Sequence, residues 1–426
     1  MLSFSLIVLL LVFVLFMGLP VAFSLGGTSL LLIAAFELPM KIVGATIFSS
    51  LDSFTVLSIP LFVLMSQILL DGRIGDDLFE VMNAWVRHLP GGLAIATILA
   101  CAFFAAITGS GAATAATIGM VAYPAMIERG YEKKFTLGLL AAGGTLGILI
   151  PPSIPMILYG SITEESVGKL FIAGVVPGLV LTGLFIVYAV YKSKRGGFTP
   201  MEKAPWSERI QVTRKNFWGI LLPFLIIGGI YTGAFTPTEA AAVGLVYSLF
   251  ITLAVYRTLR LRDIPAICLR SVTTSCMIAV IIAGAVLFGR VMTLLMIPQK
   301  LTELVISNNF SVMMFLIAMN ILMLILGCIL ETVSIVLLTM PLVTPILHAL
   351  GIDPIWYGIV VTVNMTLALI TPPVGMNLYI INSLRPDIRM GETIAGVFPL
   401  MIIMLFFLAL VIAFPGMSTW LPSIMH

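Results

Sequence analysis

The stretch Gly144-Thr145-Leu146-Gly147-Ile148-Leu149-Ile150-Pro151-Pro152 has a second version in Met365-Thr366-Leu367-Ala368-Leu369-Ile370-Thr371-Pro372-Pro373, and both lie inside strongly apolar sequence. The offset of 221 residues that relates them also carries Pro124 onto Pro345, Gly130 onto Gly351, Thr145 onto Thr366 and Leu146 onto Leu367. At an offset of 222, Ala173-Gly174-Val175-Val176-Pro177 answers Ala395-Gly396-Val397-Phe398-Pro399. Upstream, Pro20 and Gly27 answer Pro237 and Gly244 at an offset of 217. Proline has no backbone N–H to donate, so a pair of them breaks a helix. Two broken membrane helices at corresponding places in two halves point to the binding site of a secondary transporter.

Composition places those breaks in a bilayer. Of the 426 residues, 60% are hydrophobic and only 10% charged, with a mean hydropathy of +1.16; soluble domains carry roughly a quarter charged residues. The apolar start, Met1 to Met17, lacks a basic segment and is read as a first span rather than a cleaved signal. Cys101, Cys268, Cys276 and Cys328 lie in or beside apolar segments without the spacing of metal ligands or a disulfide framework.

A helix needs about 20 apolar residues to cross the hydrocarbon. Spans are predicted near 2–18, 20–38, 48–70, 133–162, 168–192, 216–234, 237–256, 267–295, 354–384 and 391–413. Two longer stretches, 91–128 and 309–349, carry a break near the middle, at Thr108-Gly109-Ser110-Gly111 and at Gly327-Cys328-Ile329-Leu330-Glu331-Thr332. Each is read as a re-entrant hairpin of two half-helices, because irregular backbone at membrane depth is tolerated only inside protein or against a cavity. With hairpins returning to their own side, the segments 71–90, 129–134, 192–215, 257–270 and 385–389 share one face and hold 18 of the 22 Lys and Arg. The other face holds only Lys41, Lys169 and Lys300, with Arg290 inside a span. Positive charge stays cytoplasmic, so both termini are predicted outside. Treating either hairpin as a single crossing destroys this asymmetry. The hairpins therefore enter from opposite faces, which makes the two halves an inverted repeat in an all-α polytopic fold. The segment 192–215 joins the halves; it reads as a connector held inside by its charge, or as a lipid-binding patch.

Three constellations could carry chemistry. Thr108 to Thr114 combines glycines, which free the backbone, with hydroxyl oxygens suited to a hard cation; the competing reading is close helix packing by small residues. At the second tip Glu331 falls on the position of Ser110. An intramembrane carboxylate is costly and functional by default, and Glu331 has three readings: cation ligand, proton carrier, or acceptor of backbone hydrogen bonds. The breaks themselves free carbonyls near Gly147 and Ile148 and near Ala368 and Leu369, with Thr145, Ser153, Asn364, Thr366, Thr371 and Asn377 close by. Cation sites are thus expected around Thr108, Ser110, Thr145, Gly147 and Pro151, and around Glu331, Thr332, Thr366, Thr371 and Pro372. Thr114, Ser153, Gly375 and Asn377 are expected to face substrate.

Arg290 and Asp52 lie toward the outer ends of spans, where snorkelling or mutual pairing accounts for them. Thr236-Pro237-Thr238-Glu239 reads as a helix start. No Gly-x-x-x-x-Gly-Lys-Ser/Thr loop is present, so ATP hydrolysis by that route is excluded. The histidines, His88, His348 and His426, lie in loops or at the terminus, which disfavours a Ser-His protease at mid-membrane. No acidic or histidine relay threads the spans, so sodium coupling is favoured over proton coupling.

The run Gly233-Ala234-Phe235-Thr236-Pro237-Thr238-Glu239-Ala240-Ala241-Ala242-Val243-Gly244 resembles a signature of the large membrane subunit of tripartite ATP-independent periplasmic (TRAP) transporters. Gly18 to Phe23, Ser58-Ile59-Pro60-Leu61-Phe62, Thr108 to Thr114 and both Pro-Pro breaks are similar too, so the resemblance covers nearly the whole chain. It implies sodium-driven import of a small organic acid across a bacterial inner membrane. It also implies two partners, a periplasmic substrate-binding protein and a separate small four-helix membrane subunit, with no enzyme activity and no nucleic acid. The implied fold has a mobile elevator domain, here 91–162 with 309–384. The segments 1–90 and 216–308 would be scaffold, 163–215 an arm helix and connector, and 385–426 a second arm helix and the C-terminus. A self-sufficient anion transporter coupled to sodium or protons, needing no binding protein, is the alternative within this architecture. A non-transporting scaffold would have no reason for two polar tips facing two breaks.

The topology is open to direct test. A thiol introduced near Ser423 should be labelled by an impermeant reagent from outside, and one near Gly196 should not. The reverse pattern would overturn the orientation and both hairpins.

Overall fold

The computed structural model describes residues 2–198 and 200–425. Every regular element among them is helical. The first half opens with α1 (Leu2–Phe16), α2 (Val21–Ala35), α3 (Lys41–Leu51) and α4 (Phe54–Asp71), followed by the amphipathic α5 (Ile74–Val86). Next come α6 (Gly92–Thr108) and α7 (Gly111–Glu128), then α8 (Lys133–Leu149) and α9 (Ile154–Thr163), the long α10 (Val167–Arg195) and the connector helix α11 (Trp206–Lys215). The second half holds α12 (Phe217–Tyr231), α13 (Pro237–Phe250), α14 (Ile264–Leu294) and the amphipathic α15 (Ile297–Ser307). It continues with α16 (Val312–Gly327), α17 (Thr332–Ala349), α18 (Pro354–Ala368), α19 (Met376–Ser383), α20 (Met390–Ala413) and α21 (Gly416–Ser423). Seven helical stretches among the described residues are long and apolar enough to cross a membrane.

The repeat is plain in this order. α6–α7 and α16–α17 are the two hairpins, α8–α9 and α18–α19 the two broken helices, and α10 and α20 the long helices that follow. Both proline pairs fall between helices, as their missing N–H groups require. Thr236 starts α13 with a full capping box: its N–H donates to Glu239 Oε2 at 2.8 Å, and the Glu239 N–H donates to Thr236 Oγ1 at 3.3 Å. Such a cap is worth about 1 kcal/mol.

Two expectations change. The span placed at 48–70 is two helices, α3 and α4, parted at Asp52-Ser53, where Ser53 takes an extended conformation and begins α4. Asp and Ser compete with the helix for their own backbone groups, so a break there has a local cause. The segment 71–90, read as a loop, contains α5. Its Ile74, Leu78, Val81 and Met82 are buried on one face, at helical spacing.

The basic segments meet on one face through ion pairs and hydrogen bonds. Arg87 grips Glu208 with two bonds of 2.6 and 2.9 Å, and Trp85 donates to Thr213 at 2.9 Å. Arg209 is buried, its guanidinium 5.6 and 5.4 Å from the rings of Trp85 and Trp206. Lys192 pairs with Glu132 at 3.1 Å, Lys133 with Glu392 at 3.0 Å, and Arg270 with Asp71. The segment 192–215 is therefore strapped to α5. In the loop before α20, a hydrogen bond from Tyr123 and the nearby Lys133 hold the Asp387 carboxyl below the usual carboxylate range. The two halves also cross directly, where Gly138 of α8 and Gly396 of α20 bring the two backbones together and any Cβ would strike a carbonyl oxygen.

Burial pushes the Asp77 carboxyl up to about 6, with Lys215 pulling it down and Glu80 and Asp76 adding to the rise. Because the folded value lies above the unfolded one, Asp77 costs nothing below pH 4, and its destabilising effect grows through pH 4–6 and is complete above. Solvent screening trims the effect at this half-exposed site. Asp77→Asn should therefore raise the melting temperature by a few degrees at pH 7.5 and leave it unchanged near pH 4. A gain that persists at pH 4 would show that the charge is not the cause.

Candidate functional site

Each hairpin tip sits on a helix break. At the first, Thr108 ends α6 and Gly109 follows in the left-handed region at φ 62°. Ser110 then caps α7, its Oγ accepting the Ala113 N–H at 3.3 Å. Gly147 of α8 lies directly against the Ser110 carbonyl, with no room for a Cβ between them. The Thr114 hydroxyl donates to the Ser110 carbonyl at 2.8 Å and lies 3.3 Å from Thr108 Oγ1, which donates to the Phe104 carbonyl at 3.0 Å. Ser153, on the far side of the Pro151-Pro152 break, donates to the Ile148 carbonyl at 2.6 Å. One of the carbonyls expected to be freed is thus already bonded, although a carbonyl oxygen keeps a second lone pair. The Thr108, Thr114 and Ser153 hydroxyls give their protons to backbone, so what they offer outward is oxygen lone pairs. From α4, Ser66 donates to the Thr108 carbonyl at 2.9 Å and ties the tip to its surroundings.

The structure brings Thr108, Ser110, Thr114 and Gly147 together and sets Gly109 against the Pro152 carbonyl and Ser153, but Thr145 stays apart. Gly144 and Gly147 share the face of α8 that meets the tip. Thr145 lies between them in sequence, so it is on another face. It is fully buried and donates to the Ala142 carbonyl at 2.7 Å.

Asn377 crosses over. It comes from the second broken helix, in the first turn of α19 after Pro372-Pro373, yet its Nδ2 donates to the Ala141 carbonyl of α8 at 3.0 Å. Its Oδ1 would lie 3.8 Å from a Cβ at Gly111, beside the first tip, and is buried without a hydrogen-bond donor. An orphaned buried acceptor costs about 1–3 kcal/mol. A cation at the first tip would relieve that cost, so the donor set there fits a small hard ion. No signal in the sequence assigns Asn377 to the opposite half; only the interleaving of α8 and α19 does.

At the second tip Gly327 packs against Ala368 at the end of α18. Glu331 caps α17 in an extended conformation, and Thr332 begins the helix, buried. Thr366 and Thr371 donate to the Val363 and Leu367 carbonyls at 2.6 and 2.8 Å. The Ala368 and Leu369 carbonyls accept the N–H groups of Thr371 and Asn377, at 3.1 and 3.0 Å. Gly375, at φ 49°, leads from Pro372-Pro373 into α19. Glu331 lines a cavity of about 470 Å³ with Pro20 to Phe23 of the α2 start, Thr273 of α14 and Ser334. The Ser334 hydroxyl is buried there without a partner among the described residues. Asn364 donates to both the carbonyl and Oδ1 of Asn320, at 2.9 and 2.8 Å, and so ties α18 to α16. Asn320 was not singled out by sequence reasoning, since an isolated Asn in an apolar helix carries no pattern.

With this geometry in hand, the comparisons with known proteins are direct. The sequence profile described as "Tripartite ATP-independent periplasmic transporter, DctM component" matches residues 7–417. This chain belongs to that family. It is 44% identical over 402 residues to the C4-dicarboxylate TRAP transporter large permease protein of Pseudomonas aeruginosa, covering 94% of each chain. It is 35% identical to the sialic acid TRAP transporter large permease protein of Vibrio cholerae, covering 96% of each. It is 32% identical to the ectoine TRAP transporter large permease protein of Halomonas elongata, covering 86% of each. Among solved structures, the YdaH transporter of Alcanivorax borkumensis is similar at a TM-score of 0.65 and 14% identity, over 88% of this chain and 89% of that one, and so shares the fold. This TRAP large permease is a multi-pass membrane transporter subunit, not an enzyme.

Gly147→Ala should push the first tip off the break, because its Cβ meets backbone rather than a side chain that can move. Uptake by the assembled transporter should fall by about tenfold or more, while the protein still reaches the membrane. Uptake at the wild-type rate would show that the tip contact is not needed.

Proposed function

We propose that this chain is the translocating subunit of a sodium-coupled importer of a small organic acid. It sits in a bacterial inner membrane with its basic loops cytoplasmic and both termini periplasmic. A small four-helix membrane subunit and a periplasmic substrate-binding protein complete the system. The unit 91–162 with 309–384 moves against the remaining helices in an elevator motion. The observation that carries this reading is the seating of each hairpin tip on a proline-broken helix, with Gly147 against Ser110 and Gly327 against Ala368. Buried hydroxyl, carbonyl and amide oxygens gather at the first of these contacts, and half-helix ends of this kind hold substrate and coupling ions in secondary transporters. The relatives named for C4-dicarboxylates and sialic acid support a carboxylate as cargo, and the 44% identity to the former makes a C4-dicarboxylate the first candidate.

In this reading Thr108, Ser110, Gly147, Pro151 and Asn377 hold one sodium ion. A second ion is expected near Glu331, Thr332, Thr366, Thr371 and Pro372. Thr114, Ser153 and Gly375 face the cargo. The chain's part is to orient these oxygens and keep bulk water out; the ion supplies the charge that offsets the carboxylate.

Reconstitution with the binding protein and small subunit from the same genome, under an imposed sodium gradient, tests the reading. A C4-dicarboxylate should accumulate only when sodium and both partners are present. Ser110→Ala should raise the sodium concentration needed for half-maximal uptake. Glu331→Gln should lower sodium affinity with little change in melting temperature, because the amide still accepts hydrogen bonds. Loss of pH dependence alone would make Glu331 a proton carrier, and loss of thermal stability alone would make it structural. Uptake indifferent to sodium would overturn the coupling.

A further inference from the structure

Arg290 stands on α14 within about one turn of its end at Leu294, toward the face opposite the basic loops. Its expected partner, Asp52, does not reach it. Among the described residues no carboxylate lies within ion-pair distance of its guanidinium, whereas seven other pairs are formed elsewhere. The side chain is exposed, and it lines a cavity of about 690 Å³. One wall of that cavity comes from α3, α4 and α14 and carries Thr46, Ser49, Ser50, Ser53 and Thr293. The other comes from α9 and α17, the helices that begin at the first break and at the second tip, and carries Ser161.

The hydroxyls of this cavity divide into two sets. Ser49, Ser50 and Thr293 give their protons to carbonyls of their own helices, at 3.1, 2.8 and 2.9 Å. Thr46, Ser53 and Ser161 donate to no group among the described residues and remain available. The cavity therefore offers one permanent positive charge with five N–H donors, three available hydroxyl donors and no negative charge. A planar guanidinium matches a carboxylate with two parallel hydrogen bonds. An unpaired cation in a transmembrane segment that faces a cavity marks a pathway for ions or substrate.

We propose that Arg290 forms an anion-receiving site on the wall built by α3, α4 and α14, where the carboxylate of the cargo is held before it passes to the hairpin tips. This rests on the reading of the chain as an organic-acid transporter. It adds a binding group that neither tip contains. The site takes carboxylates as a class, since nothing else in its lining distinguishes one acid from another.

The test is charge-selective thiol labelling of the purified full-length protein in lipid nanodiscs, with the four native cysteines replaced and Ser161→Cys as the reporter. An anionic methanethiosulfonate should react about 10-fold faster than a cationic one of similar size, the low end of what a charged cleft achieves. Arg290→Gln should bring the two rates together, and Arg290→Lys should keep most of the difference. Succinate should slow the anionic reagent in the parent and not in Arg290→Gln. Should Ser161→Cys fold poorly, Ser50→Cys on the facing wall reads the same potential. Equal rates for the two reagents in the parent, a preference that survives Arg290→Gln, or labelling that succinate does not slow would each overturn the proposal. The measurement uses neither a sodium gradient nor a binding protein, so its failure is separable from failure of uptake.

Discussion

A backbone amide or carbonyl in the hydrocarbon has no water to bond, and everything distinctive about this fold follows from breaking helices there all the same. Each proline pair withdraws two N–H donors and leaves carbonyls of the preceding turn to be satisfied by something other than the helix. Ser153 answers for Ile148 at the first break, and the N–H groups of Thr371 and Asn377 answer for Ala368 and Leu369 at the second. These substitutes work only when the break is enclosed by protein, and the hairpin tips provide the enclosure. Tip and break are thus one structural necessity. The buried oxygens that gather at the first of these contacts are its by-product.

How much of this was legible in the sequence depends on the reach of each signal. The proline pairs, the glycine tip at Thr108 to Thr114 and the cap at Thr236 act within a few residues, and each appears where the residues predict. The division of basic residues acts over the whole chain, and Arg87, Lys192 and Lys133 do meet carboxylates of neighbouring segments on a common face. α5 was hidden because a search for long apolar runs passes over a helix that is apolar on one side only. The break at Asp52-Ser53 was hidden by the apolar residues around it. The crossing of Asn377 into the other half was hidden for a different reason: its partner, the Ala141 carbonyl, lies 236 residues away, and no periodicity encodes such a pairing.

The repeat is also imperfect in an informative place. In the second half α14 runs unbroken over 31 residues, whereas the helices packed along it from the first half, α3 and α4, are parted at Asp52-Ser53. The parting exposes serines on one side of the cavity that α14 lines with Arg290. Symmetry is kept at the two tips and abandoned on the wall opposite them.

The interlacing of the halves has a mechanical consequence. Asn377 is bonded to α8, Tyr159 of α9 donates to the Pro354 carbonyl at 2.6 Å, and α20 crosses α8 where Gly138 meets Gly396. Neither broken helix can slide along the membrane normal without dragging the other. The two broken helices and the tips seated on them are thus parts of one packed body.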